Sequence, residues 1–96
     1  MMKMNSRVLR KLATDLRHFV QAEARSKRAI WVEARDEDDL LYLEEEVIPD
    51  LGLELVSVQR QIGMLVVLAN SRQILELANH RRVKRCHLSR KIRLFV

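Results

Sequence analysis

The sequence predicts an α+β fold, in which helices pack against one antiparallel sheet. Three observations support this prediction. The N-terminal segment has apolar residues at helical spacing, the stretch "RAIWVEA" alternates with the period of a strand, and strand-like and helix-like segments alternate through the rest of the chain. With 96 residues, the chain is long enough for one hydrophobic core and too short for two. We therefore expect one functional unit.

The first segment is predicted to form a long amphipathic helix. Residues 6–24 contain no Gly or Pro, and large apolar side chains share one stripe of the helix: Leu9, Leu12, Leu16, Phe19 and Val20. We assign residues 1–28 to this helix and residues 29–96 to the domain that follows. The stripe either covers part of the domain's own core or forms a short coiled-coil-like seam that docks on a partner or makes a homodimer.

The remaining residues are predicted to form four strands and two helices. In order, these are the strand "RAIWVEA", a helix over about residues 37–47 that ends at Pro49 and Gly52, strands at 53–60 and 64–69, a helix in "RQILELANH" capped by Asn70 or Ser71, and a strand that begins at Val83. The strand at 64–69 is apolar throughout, which predicts a central position in the sheet.

This order of elements is that of a ferredoxin-like βαββαβ antiparallel sandwich with an additional N-terminal amphipathic helix. Right-handed crossovers would place both helices of the sandwich on one face of the sheet. The other face then needs a cover. The candidates are the N-terminal helix, a second copy of the chain, and a partner.

Charge is strongly segregated along the chain, beneath a net charge of +5. Residues 3–28 carry eight basic and two acidic residues, residues 33–54 carry ten acidic and one basic, and residues 81–96 carry seven basic and none acidic. Such blocks indicate either charged partner surfaces or faces of one domain that neutralise each other.

No catalytic or cofactor motif is present in the sequence. The single cysteine, Cys86, excludes an intramolecular disulfide, no Cys or His pair has zinc-site spacing, and no Gly-rich phosphate loop occurs. We attribute the acidic run "DEDD" to the start of a helix. We therefore expect no metal, no cofactor and no enzyme activity. A free cysteine and the lack of a membrane-spanning or signal-peptide run favour the cytoplasm.

The segments "AIWVEA", "LELVSVQRQIGMLVVLANSRQILELANH" and "RRVKRCHLSRKIRLF" together resemble the propeptide domains of subtilisin-like serine proteases and the related free-standing inhibitors. The likeness covers about two-thirds of the chain, and it rests on the pattern of apolar positions. It implies a non-enzymatic inhibitor or intramolecular chaperone that binds such a protease in cis or in trans. This sequence departs from the family's pattern in its turn "QRQIG", which has Arg60 and no acidic residue.

The resemblance also implies which residues contact the protease. The C-terminal tail would lie in the substrate cleft as an added strand, with Arg93, Leu94, Phe95 and Val96 in successive pockets. Arg93 stands where these enzymes often favour a large apolar residue. The open face of the sheet would pack on the protease surface, and Trp31 is the residue that we expect there.

A second hypothesis is a small basic adaptor domain that binds nucleic acid or an acidic protein. Its binding patch would contain Arg81, Arg82, Lys84, Arg85, Arg90 and Lys91, together with Arg93. RNA-recognition domains share this order of strands and helices, but they stack bases on aromatic residues of the two central strands. Here the strand at 64–69 has no aromatic residue and the first strand has only Trp31, so nucleic acid is the less favoured partner.

Overall fold

The computed structural model describes residues 6–22 and 25–89. Its strands are β1 (Arg28–Ala34), β2 (Glu54–Gln59), β3 (Met64–Ala69) and β4 (Val83–Leu88). Its α-helices are α1 (Ser6–Lys11), α2 (Thr14–Gln21), α3 (Glu37–Tyr42), α4 (Ile48–Asp50) and α5 (Ser71–Ala78). A π-helical segment, Leu43–Val47, joins α3 to α4, and a 3-10 turn, Arg60–Ile62, joins β2 to β3.

The four strands form one antiparallel sheet in the order β2-β3-β1-β4. The predicted α+β class is confirmed, and this strand order is compatible with a ferredoxin-like fold. Strand β3 lies between β2 and β1, so the central position expected from its apolar sequence is also confirmed.

The hydrophobic core lies between one face of the sheet and the helices. Alternate residues of β1, namely Ile30, Val32 and Ala34, are buried there, as are Leu65 and Val67 of β3. The helical segments and the break between α1 and α2 bring large side chains to the same cluster: Val8, Leu12, Leu16, Val20, Leu40, Leu43, Ile74 and Leu77. Removing each such side chain from water stabilises the fold by roughly 1.5–3 kcal/mol.

Side-chain caps start two of the helices at the positions that the sequence indicates. Asn70 accepts a hydrogen bond from the backbone N–H of Gln73 at 3.0 Å, and the Gln73 side chain accepts one from the backbone N–H of Asn70. Asp36 accepts a hydrogen bond from the backbone N–H of Asp39 at 2.8 Å. The acidic run therefore contributes to the start of α3, as expected.

The N-terminal segment is helical as predicted, but it forms two helices with a break at Leu12 and Ala13 where we expected one continuous helix. At the break Leu12 makes an isolated parallel bridge with Cys86, and the Ala13 N–H donates to the Cys86 carbonyl at 3.1 Å. Ala13 has extended dihedrals, φ −62° and ψ 154°. The backbone leaves the helix because it gains a partner on the edge of β4.

The second predicted helix continues beyond its expected end at about Val47, past Pro49 to Asp50. The Ile48 N–H donates to the carbonyl of Leu43, five residues earlier, which makes the turn wider than an α-helix. A proline ring crowds the carbonyl four residues before it in a regular α-helix, and the wider turn relieves that contact. Gly52, at φ +67°, ends the segment as expected.

Candidate protein-binding face

The face of the sheet opposite the core is the candidate site, and we call it the open face. It consists of the side chains that alternate with the core residues on each strand. On β1 these are Ala29, Trp31 and Glu33, and strand pairing aligns them with Met64, Val66 and Leu68 of β3. On the other side of β1, Trp31 pairs with His87 and Glu33 pairs with Arg85, both on β4.

No helix within residues 6–22 and 25–89 covers the open face. Most of the apolar stripe of the N-terminal helices packs in the core, where α1 and α2 contact α5 and β4, and Leu9 alone of the five stripe residues stays outside the cluster. The sequence left three candidates for covering the open face. The first of them, the N-terminal helices, lies on the opposite side of the sheet in the described residues. A second copy of the chain or a partner remains for the open face.

The centre of the open face is apolar. Val66, directly across from Trp31, is only 1% exposed, although it is not part of the core cluster on the helical side. Trp31, Met64 and Leu68 are each partly buried around it. A partly buried tryptophan among aliphatic side chains on the face of a sheet is typical of protein-binding surfaces.

A small charged group borders this apolar centre. The Glu33 carboxylate lies 3.3 Å from Lys84 Nζ and 3.7 Å from His87 Nε2. The His87 Nε2 atom is shielded from solvent and forms no hydrogen bond with the part of the chain that the structure describes. This charged group therefore lies on the β4 side of the face, and Glu54, Ser57 and Gln59 of β2 are aligned with the open-face residues of β3 on the other side.

Among the residues predicted for protease contact, the structure places Trp31 on the open face. The tail residues Arg93, Leu94, Phe95 and Val96 lie outside the described residues. Met64, Val66 and Leu68 were not predicted from the sequence as contact residues. The uniform apolar run "MLVVLA" was the available signal, because a central strand that is apolar throughout must also present apolar side chains to the open face.

The predicted basic patch is divided in the structure. Arg82 Nη1 lies 2.7 Å from the Asp39 carboxylate, and its guanidinium lies over the Tyr42 ring at 4.1 Å, on the helical side. Lys84 pairs with Glu33 on the open face. Arg81 and Arg85 are exposed, whereas Arg90 and Lys91 lie outside the described residues. Two of the predicted cations are thus already paired within the chain.

Chemically reactive groups are few among the described residues. Burial raises the pKa of the Cys86 thiol to about 12, so this cysteine is an inert core residue, as expected. No cluster of His, Cys, Asp or Glu in the described ranges is arranged to hold a metal ion. A cavity of about 310 Å³ on the helical side is lined by groups that include Tyr42, Glu46, Glu76 and His80.

Comparisons with known proteins provide no further lead. No protein-family model, no curated protein and no solved structure matches this chain. None of the described helices has the length and apolar character needed to cross a membrane.

Proposed function

We propose that this chain is a non-enzymatic, cytoplasmic domain that inhibits a subtilisin-like serine protease or assists its folding, in cis or in trans. The observation that carries the proposal is the open face, on which Trp31, Met64 and Leu68 are partly exposed around the buried Val66 and no described helix packs over them. Burying such a surface against a partner releases water from apolar groups and favours association.

The resemblance implies a second contact, in which the C-terminal tail lies in the substrate cleft, and the position of the end of β4 supports it. The Ser89 N–H still donates to the Ala29 carbonyl at 2.9 Å, so the chain follows the sheet up to that residue. Seven residues, 90–96, come after it. A fully extended segment of that length reaches at most about 25 Å. This reach supports a tail in which residues 93–96 fill protease pockets and residues 90–92 connect them to the sheet.

Inhibition of a panel of subtilisin-like proteases with a chromogenic peptide substrate tests this function. We expect the full chain to inhibit at least one enzyme, and a chain cut after Ile92 to lose inhibition while keeping its circular dichroism spectrum. If the shortened chain inhibits as well as the full chain, the tail mechanism is wrong. If the full chain inhibits no member of the panel, the function itself is wrong.

The open face is tested separately by Trp31→Ala. A central aromatic residue of an interface commonly contributes 2 kcal/mol or more, so inhibition should weaken about 30-fold. Leu41→Ala is the matched control, because Leu41 is an apolar residue of α3 that is 46% exposed on the helical side. Equal effects of the two substitutions would contradict a specific role for the open face.

The adaptor hypothesis has less support from the geometry. It needs unpaired cations on one surface, but Arg82 and Lys84 are paired with Asp39 and Glu33 on different sides of the sheet. Binding to nucleic acid through these cations would weaken steeply as salt concentration rises, whereas binding through the apolar centre would weaken less. A salt titration of any partner that is found separates the two hypotheses.

A further inference from the structure

The cavity on the helical side of the sheet lies outside the open face and has no part in the proposed function. It lies between the helical segment 42–51 and the end of α5, and its volume is about 310 Å³. The polar and aromatic residues of its lining are Tyr42, Glu46, Asp50, Glu76 and His80. Cavities of this size commonly hold small ligands or single side chains of a partner.

The cavity is acidic, although the chain as a whole has a net charge of +5. It has three carboxylates, and apart from His80 none of the described residues that line it can carry a positive charge. Glu76 has a long contact of 3.8 Å with Arg72 Nε, and the Arg72 side chain is 84% exposed. Glu46 and Asp50 form no ion pair within residues 6–22 and 25–89. Unpaired carboxylates around a concave surface attract cations.

His80 does not offset this negative charge. Its Nδ1 atom accepts a hydrogen bond from the backbone N–H of Arg82 at 3.2 Å, which requires a lone pair and therefore a neutral imidazole. The His80 ring lies 6.1 Å from the Tyr42 ring, so the cavity also has two neighbouring aromatic groups. The described carboxylates and histidines are not arranged to hold a metal ion. The lining therefore suits an organic cation.

The chain itself shows how this region binds a guanidinium group. The Arg82 guanidinium is held by the Asp39 carboxylate at 2.7 Å and by the Tyr42 ring at 4.1 Å. The cavity offers the same two kinds of group, because carboxylates and Tyr42 both line it. A guanidinium is planar, pairs with carboxylates through two N–H groups and stacks on aromatic rings, whereas an ammonium group is a compact and strongly hydrated charge. Val47 and Leu51 complete the lining with aliphatic surface for an alkyl stem.

We propose that this cavity binds an alkylguanidinium group, which pairs with the carboxylates of Glu46 and Asp50 and contacts Tyr42. The group belongs either to a free small molecule or to an arginine side chain of a peptide. Glu46 and Asp50 are four residues apart in one helical segment, so they lie on the same side of it. Both residues are exposed, so each ion pair contributes modestly and the binding is weak.

Titration of the full chain with butylguanidinium, followed by amide NMR, tests this site. We expect saturable shifts concentrated in residues 42–51 and 76–80. Glu46→Gln combined with Asp50→Asn should weaken binding about fivefold, because two exposed ion pairs are lost. Glu45→Gln combined with Glu54→Gln is the matched control, since it removes two charges at exposed positions outside the cavity. Shifts that do not saturate, or equal losses in the two double variants, would overturn the proposal.

Two further ligands define what the cavity selects. Butylammonium has the same charge and stem without the planar group, and it should bind more weakly than butylguanidinium. Equal affinity would refute the assignment to a guanidinium. The blocked tripeptide acetyl-Ala-Arg-Ala-amide distinguishes the sources: tighter binding than butylguanidinium indicates a peptide arginine, and weaker binding indicates a free small molecule. Trp31→Ala should bind butylguanidinium as the original chain does, so this test is independent of the proposed function.

Discussion

Arg82 connects the turn before β4 to the helical layer through three contacts. Its side chain bonds Asp39 at 2.7 Å and lies over the Tyr42 ring, while its backbone N–H donates to Nδ1 of His80 at 3.2 Å. The last bond requires a lone pair on Nδ1, so it needs a neutral imidazole. Partial burial and the nearby charges of Arg82, Lys11 and Arg81 lower the pKa of His80, in agreement with that requirement.

This environment makes stability depend on pH. The unfolded chain protonates His80 near its ordinary pKa of 6.5, whereas the folded chain takes up that proton only at lower pH. The stability that neutral His80 contributes is therefore complete above about pH 6.5. It falls as pH decreases from the pKa of His80 in the unfolded chain to its lower pKa in the folded chain. Urea unfolding at about pH 7.5 and about pH 5.5 should show this loss.

The variant His80→Asn should reduce that pH dependence, because its amide oxygen can accept the Arg82 bond without titrating. His18→Asn, at an exposed position of α2, should keep the full dependence and serves as the control. A pH dependence that is the same in His80→Asn and in the original chain would show that His80 does not cause it.

The N-terminal helices show, at the scale of elements, what a local pattern can and cannot predict. Apolar spacing predicted the stripe on α1 and α2, all four strands and α5, because these features depend on neighbouring residues. The break at Leu12 was not predictable in this way, since its cause is the Cys86 carbonyl at the far end of the chain. The side of the sheet on which α1 and α2 lie likewise depends on distant contacts.

Leu16→Ala measures how strongly α2 is held by the core. Leu16 is 0% exposed and belongs to the core cluster, so truncating it should lower the free energy of unfolding by about 2–5 kcal/mol. Leu9→Ala removes the same atoms from α1 at a position that is only partly buried, and we expect a clearly smaller loss. Equal losses in chemical denaturation would mean that the stripe does not face the core in solution.

The whole molecule is expected to unfold as one unit, although the sequence suggested a helix at residues 1–28 and a domain at residues 29–96. The core cluster combines Val8, Leu12, Leu16 and Val20 with residues of the sheet and of α5. Without the first 28 residues, the apolar surface that these side chains cover would be open to water, and Cys86 would lose its partner at Ala13. For a chain this small, such a loss is comparable to the total stability.

A fragment of residues 29–96 tests this cooperativity. We expect it to give poorly dispersed amide NMR signals and no sharp thermal transition, and a peptide of residues 1–28 added in excess should restore both. The full chain should show one transition by circular dichroism and by tryptophan fluorescence, since Trp31 reports on the sheet and circular dichroism is dominated by the helices. A fragment that folds alone would show that the N-terminal helices are an accessory to the domain, and their apolar stripe would then be available to a partner.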